Sequence, residues 1–213
     1  MSEQIDSIFY SWFVKLEPFD GNAPSNWNTK KFSEFLTLLS EKSTDISIPM
    51  YSVTDTGIYP RDEKFNKNLS MSGGAFKVAR KNNLVFGMSR AILNWGILHE
   101  DIAGVSAAYT VYNVDDSINS VYLEYYIKHH EVYFKDIIRL ASREVQGIDR
   151  TALFNKEILL PDDNWMNKFL DAYKKLKSGI DNAKEENSRL SELRDSLLPK
   201  LMSGELDVSD LEI

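Results

Sequence analysis

Apolar positions at the start of the chain recur at helical spacing. Ile5, Ile8, Phe9, Trp12 and Phe13 follow an i, i+3, i+4, i+7, i+8 pattern, which predicts an amphipathic helix over 3–14. Pro18 and the Asp20-Gly21-Asn22 turn signal end it. The next stretch mixes two periods. Phe32, Phe35, Leu36 and Leu39 repeat at helical spacing, whereas 48–54, 83–88 and 105–114 are short β-rich runs, the last holding Tyr109, Val111 and Tyr112. Val121, Tyr122, Tyr125, Tyr126, Ile137 and Ile138 restore a helical pattern over 119–140, with Asn119 or Ser120 as N-cap. A loop with Ser142, Arg143, Gln146 and Gly147 follows, and a short strand over 157–160 closes the stretch at Pro161.

The pattern changes at Asp162. Asp162 and Asp163 suit an N-cap and a first helical turn, and no further proline occurs until Pro199. Phe169, Leu176, Ala183, Leu190 and Leu197 recur every seven residues. Tyr173, Ile180, Asn187, Arg194 and Leu201 each follow four residues later. About five heptads of this kind predict a coiled-coil helix over 163–198, on the order of 54 Å long, with Asn187 and Arg194 fixing register at a cost in stability. A long helix lying on its own domain is the simpler alternative. The tail after Pro199 carries four acids and no base between Ser203 and Ile213 and is expected to fray. Four segments result: an N-terminal helix over 1–18, a mixed domain over 19–161, a long helix over 162–200 and a tail over 201–213. The expected class is α+β: a mixed α/β domain with a small twisted sheet, followed by a long C-terminal coiled-coil helix.

Composition narrows this picture. With 43% hydrophobic and 12% aromatic residues among 213, the chain can bury a core of one sizeable domain plus an extension, or of two small domains. The absence of cysteine excludes disulfides, thiolate zinc sites and cysteine nucleophiles. No apolar run approaches the roughly 20 residues of a membrane span, and the acidic N-terminus is unlike a secretory signal, so the chain reads as cytoplasmic. The net charge of -7 hides an uneven distribution. Residues 61–90 hold seven bases (Arg61, Lys64, Lys67, Lys77, Arg80, Lys81, Arg90) against two acids, Asp62 and Glu63. Such a local excess can bind phosphate, although a lysine-rich solvated surface has the same composition.

Motifs for catalysis are missing. None of the six prolines has a proline neighbour, so the Asn/Asp-Pro-Pro-Tyr/Phe loop of adenine methyltransferases is absent. There is no Gly-x-x-x-x-Gly-Lys-Ser/Thr phosphate loop and no Gly-x-Ser-x-Gly elbow, and Gly73-Gly74 reads as a turn. His129 and His130 are adjacent, so on a helix they point about 100° apart and chelate one ion poorly; His99 stands alone. Asp62-x-Lys64 has the form of a nuclease carboxylate–lysine pair and equally of a surface ion pair. The reading is therefore of a chain with no catalytic residues, no metal site and no cofactor of its own.

Three stretches carry a family resemblance. Residues 7–19, Ser-Ile-Phe-Tyr-Ser-Trp-Phe-Val-Lys-Leu-Glu-Pro-Phe, resemble the lead-in to a target recognition domain of type I restriction-modification specificity subunits. Residues 193–206, Leu-Arg-Asp-Ser-Leu-Leu-Pro-Lys-Leu-Met-Ser-Gly-Glu-Leu, resemble that family's C-terminal signature and are the most specific string. Between them, 90–98 (Arg-Ala-Ile-Leu-Asn-Trp-Gly-Ile-Leu) and 104–112 (Gly-Val-Ser-Ala-Ala-Tyr-Thr-Val-Tyr) are similar to the family's Arg-x-Asn-x-Gly-Ser-Ile and Val-Ser-Pro-x-Tyr patterns. Here Asn94 stands four residues after Arg90, and Ala107 takes the place of the proline. A full specificity subunit has two recognition domains and two spacer helices, where this chain has one of each, a half-length form.

The resemblance implies a protein that reads one half of a split double-stranded DNA site and scaffolds methyltransferase subunits, joined by a restriction subunit. S-adenosylmethionine and ATP would then belong to those partners. Arginine suits guanine, and asparagine or glutamine suits adenine. Arg90, Asn94, Arg143 and Gln146 are accordingly the candidate base readers, and Arg61, Lys64, Lys77, Arg80 and Lys81 the candidate phosphate contacts. Phe169, Tyr173, Leu176, Ile180, Ala183, Asn187, Leu190 and Leu197 would form an antiparallel homodimer seam, which implies a palindromic, interrupted site; pairing with a different half-subunit would give an asymmetric one. The competing readings are a coiled-coil scaffold or regulator that reads no DNA, and an enzyme acting on nucleic acid.

Overall fold

The computed structural model of the chain describes residues 2–61, 74–88, 92–138 and 147–203. They form an α+β protein of small antiparallel sheets and a long C-terminal helix, the class expected from the alternating periods. The chain divides into two compact units. Residues 21–163 make one, and the two ends of the chain, up to Asp20 and from Asn164 onward, make the other.

The unit of the chain ends is helical. α1 (Ser2–Phe9) continues into one π-helical turn, Tyr10–Val14, in which the Lys15 N–H donates to the Tyr10 carbonyl at 2.8 Å. Leu16, in the left-handed conformation at φ 54°, ends the helix before Pro18 is reached. The apolar stripe read from the sequence buries Ile5, Phe9 and Phe13. They meet the start of α5 (Asp163–Met202), where Phe169 is fully buried with its ring 5.4 Å from Phe9 and 5.5 Å from Phe13. Trp165 packs edge-on against Trp12 at 5.3 Å and Phe19 at 4.7 Å. α5 passes through Pro199 instead of ending at 198. The proline lies one turn from the end on an exposed face, so its missing N–H leaves only the Asp195 carbonyl to water. The Ser203 N–H closes the last turn on the Pro199 carbonyl at 2.9 Å.

The other unit is built from eleven strands among its described residues: β1 (Asn28–Lys31), β2 (Leu36–Leu39), β3 (Lys42–Ser43), β4 (Tyr51–Thr54), β5 (Gly57–Pro60), β6 (Phe76–Arg80), β7 (Leu84–Phe86), β8 (Trp95–Ile97), β9 (Ile102–Val105), β10 (Thr110–Val114) and β11 (Glu157–Leu160). They make sheets of order β2-β10-β7-β8, β3-β6-β9, β4-β5 and β1-β11, antiparallel throughout. Tyr51, Val53, Ala79, Val85, Leu98, Ala103, Val105 and Val111 form one shared core cluster. Gly96 lets the β4–β5 hairpin approach β8, since a Cβ there would lie 2.8 Å from the Ile58 backbone nitrogen.

Three sequence expectations change. Phe32, Phe35, Leu36 and Leu39 are not one helix: Phe32–Glu34 is a 3-10 turn, and Leu36–Leu39 pairs with β10. The first four residues share helical spacing because a single turn buries Phe32 and Phe35, and sheet pairing then governs the rest. The 105–114 run is two strands, β9 and β10, divided by a turn in which the Tyr109 N–H donates to the Ser106 carbonyl at 2.9 Å. The pattern over 119–140 yields α2 (Ser120–His129), α3 (Glu131–Phe134) and a 3-10 turn, Lys135–Ile137, and its last two positions lie outside the described residues. Asn119 is the N-cap, its Oδ1 accepting from the N–H groups of Val121 at 3.0 Å and Tyr122 at 3.2 Å.

β1 and β11 pair over their full length, Asn28 opposite Leu160 through Lys31 opposite Glu157. α2 and α3 fasten this pair through their tyrosines. Tyr122 donates to the Leu159 carbonyl at 2.7 Å, Tyr126 donates to that of Glu157 at 3.2 Å, and the Glu157 N–H donates to Tyr133 at 2.9 Å. Burial raises the Tyr122 phenol well above its usual range and pushes Tyr126 up to about 12, so both remain donors at any physiological pH.

Phe169→Ala removes the ring on which Phe9 and Phe13 rest. A loss of about 3–5 kcal/mol is expected in the unit of the chain ends. Urea unfolding followed by tryptophan fluorescence, with Trp27 and Trp95 replaced by Phe so that Trp12 and Trp165 give the signal, measures it; a shift below 1 kcal/mol would mean that the cluster does not hold the two ends together.

Candidate nucleic-acid interface

The described basic residues singled out by charge do not share one face. Strand residues alternate faces, so Lys77 and Arg80 of β6 point to opposite sides. Arg80 is held by Glu41 at 2.7 Å, and its backbone N–H donates to Asn83 Oδ1 at 2.8 Å. Lys81 lies 4.0 Å from Asp101. Lys77 is half-buried, and its ammonium donates to the Tyr109 carbonyl. Its pairing partner across β3 is another lysine, Lys42, and Arg150 of α4 (Arg150–Phe154) is close enough to act on its charge. Burial first, then Lys42 and Arg150, hold the Lys77 amine below its ordinary pKa. Arg61 follows β5, its N–H donating to the Met50 carbonyl at 3.0 Å and its Nε buried with no hydrogen-bond acceptor among the described residues. Lys64, Arg90, Arg143 and Gln146 lie outside the described residues.

Asn94, the described base-reading candidate, is engaged in its own loop. Its Nδ2 donates to the Met88 carbonyl at 2.7 Å, and its carbonyl accepts from the Gly87 N–H at 2.8 Å. Lys42 and Arg150 were missed in the sequence. The signal that finds Lys42 is strand register, which a two-residue strand with no apolar position does not print, and Arg150 is brought near by the fold from a helix more than 70 residues beyond Lys77.

Another side of the unit is acidic. Asp55, Thr56, Gly57, Trp95, Gly96, Glu124, Lys128 and Glu131 line a cleft of about 360 Å³. Three carboxylates against one ammonium disfavour phosphate there, and His99 pairs with Glu124 at 3.1 Å. His129 and His130 stack on Tyr125 and Tyr126 one turn away. Among the described residues no group of three or more His, Cys, Asp or Glu side chains is placed to hold a metal ion. No described helix is long and apolar enough to cross a membrane.

The heptad seam divides in two. Phe169 is covered by the chain's own N-terminal segment, and Tyr173, Leu176 and Ile180 are half-buried. Ala183, Asn187, Leu190 and Leu197 are exposed, as is every residue from Asp181 to Ser203. Leu201, at the end of the second seam, is exposed too, and Leu193, Leu198 and Met202 extend the apolar surface beyond the seam positions read from the sequence.

No protein-family model matches the chain. It is 25% identical over 234 residues to the specificity subunit of the type I restriction enzyme MjaIX from Methanocaldococcus jannaschii, an alignment covering 96% of this chain and 52% of that subunit. Among solved structures, the HsdS subunit from Thermoanaerobacter tengcongensis aligns at a TM-score of 0.47 and 16% identity, over 96% of this chain and 51% of that one. A chain from structural work on complex assembly and conformational transition of the type I R-M system aligns at 0.49 and 17%, over 93% and 51%. The chain spans about half the length of the relatives it matches. Its resemblance to type I specificity subunits thus runs through nearly the whole sequence.

Asn94→Ala is expected to lower the stability of the DNA-free protein by about 0.5–1.5 kcal/mol through loss of the Met88 contact. Urea denaturation checks this. An unchanged midpoint would return Asn94 to the set of side chains available to bases.

Proposed function

We propose that this chain, a relative of type I restriction enzyme specificity subunits, is the DNA-reading and scaffolding component of a type I restriction-modification complex. The similarity to such a subunit along 96% of the chain carries this reading. Residues 21–163 read one half of a split double-stranded site. The long helix sets the distance to a second reader and offers a surface to methyltransferase subunits, which the restriction subunit joins. The chain supplies no catalytic group and binds no cofactor itself; S-adenosylmethionine and ATP are handled by the partners. It acts where those partners and the DNA are, in the cytoplasm.

The physical features support this division of labour. Cations outnumber acids around β6, whereas base-edge contacts would come from Arg90, Asn94, Arg143 and Gln146. α5 exposes a leucine stripe that a lone helix leaves in water, and burying each such side chain contributes roughly 1.5–3 kcal/mol. A second copy, antiparallel, covers that stripe and presents two readers related by two-fold symmetry, which suits a palindromic, interrupted site. Because Phe169 is already covered, the pairing is centred nearer Leu190 than Ile180.

Co-expression with a methyltransferase subunit, followed by mapping of methylated adenines, tests the function. Methylation confined to one split motif, and lost without this chain, is expected; methylation that persists unchanged without it sinks the reading.

The dimer has its own test. Light scattering at tens of micromolar should give twice the chain mass, and Leu190→Glu with Leu197→Glu should return a folded monomer, because both side chains are exposed within one chain. A monomeric unmutated protein rules the symmetric dimer out.

A further inference from the structure

Two lysines stand directly opposite each other where β3 meets β6: Lys42 and Lys77 are Cα partners in an antiparallel pair. Opposite residues of such a pair share a face, with Cβ atoms about 4.5–5.5 Å apart, and like charges there repel. A third cation, Arg150, lies near enough to act on Lys77 and on the buried Tyr112, whose hydroxyl has no hydrogen-bond partner among the described residues. Among the described residues no carboxylate lies within ion-pair distance of Lys42, Lys77 or Arg150. Asp149, the neighbour of Arg150, turns its Oδ1 to the N–H groups of Thr151 and Ala152 at 2.8 and 3.0 Å, capping α4. Arg80 and Lys81, one and two residues past the sheet face of Ala79, are by contrast matched to Glu41 and Asp101.

We infer that Lys42, Lys77 and Arg150 form a clamp for one backbone phosphate of duplex DNA, an assignment that rests on the DNA-reading function proposed above. The chemistry is that of a phosphodiester. The Lys77 ammonium uses one of its three donors on the Tyr109 carbonyl and keeps two for an anion. Two ammonium groups give charge without direction, and a guanidinium adds a planar fork that matches two phosphate oxygens. Tyr109 packs against the sheet core, and the bond to its carbonyl restricts where the Lys77 amine can go. In the free protein Lys42 and Arg150 each repel Lys77; a bound phosphate offsets that repulsion. The clamp reads no base. It fixes the height and rotation of the reading unit on the duplex.

The experiment measures duplex affinity of the full-length chain as a function of salt. Lys42→Gln, Lys77→Met and Arg150→Gln should each flatten the plot of log affinity against log salt by about one unit and weaken binding roughly fivefold near 0.15 M salt, equally for every sequence. Lys174→Gln on α5 removes the same formal charge and should leave the slope unchanged. Thermal melting separates a lost contact from a lost fold: Lys42→Gln should raise the melting temperature of the free protein while weakening DNA binding, since it relieves the repulsion. A wild-type chain that binds duplex while Lys42→Gln and Arg150→Gln keep its full slope overturns the clamp alone. A wild-type chain with no salt-dependent affinity overturns the proposed function and the clamp with it. Replacing chloride by inorganic phosphate at equal ionic strength tells the DNA backbone from a free-phosphate site. Phosphate binding that is abolished in Lys42→Gln, with duplex affinity and its salt slope unchanged, would assign the trio to the free anion and overturn the DNA assignment.

Discussion

The pairing of β1 with β11 is the constraint on which the rest of the molecule depends. It joins the first strand of the 21–163 unit to its last, so the chain enters and leaves that unit side by side. β1 is Asn-Thr-Lys-Lys and brings little apolar surface of its own. The pair is secured from the β11 side instead, where Ile158 is fully buried and three tyrosines of α2 and α3 bond to the backbone. Lys156 adds a fourth fastening: its nearly buried ammonium meets Asp136 at 2.7 Å and lies 4.2 Å over the Tyr133 ring. With the ends of the unit fixed together, both flanking segments start from neighbouring points, and a unit made of the two chain termini becomes possible.

Long periodic elements were legible because periodicity is a local property. The stripe of α1, the heptads of α5, the strand at 157–160 and the N-cap at Asn119 all follow from residues close in sequence. Elements defined by partners distant in sequence were not. β1 and β3 have no apolar residue to mark them, and β2 was masked by a 3-10 turn that places Phe32 and Phe35 at helical spacing. Periodicity also could not say that the first heptad was occupied. Phe169 fits a seam position, yet its neighbours come from the opposite end of the chain.

Charge shows the same limit. A net charge of -7 conceals a local excess of bases, and the local excess in turn conceals pairing. Arg80 finds Glu41 and Lys81 finds Asp101, whereas Lys77 meets Lys42 across a strand pair. A cation's availability to an external anion is settled by the strand opposite it, and that opposition spans tens of residues. Counting charges along the chain located the neighbourhood of the cations but could not tell the matched from the unmatched.

The cover that Phe9 and Phe13 give Phe169 has a consequence in time. Roughly 160 residues separate these rings in sequence, so α1 is synthesised long before its packing surface exists. Once β1 has joined β11, the connecting path shortens to about two dozen residues, those between Phe13 and Asn28 and between Leu160 and Phe169. On a polymer estimate the entropic cost of bringing the rings together falls by about 1–2 kcal/mol. The terminal unit is therefore expected to assemble last, with three apolar side chains of α1 and its π-helical turn waiting in solvent until then. A delay in the closing strand pair would prolong that exposure, making the order of events along the ribosome a determinant of how much chain escapes aggregation.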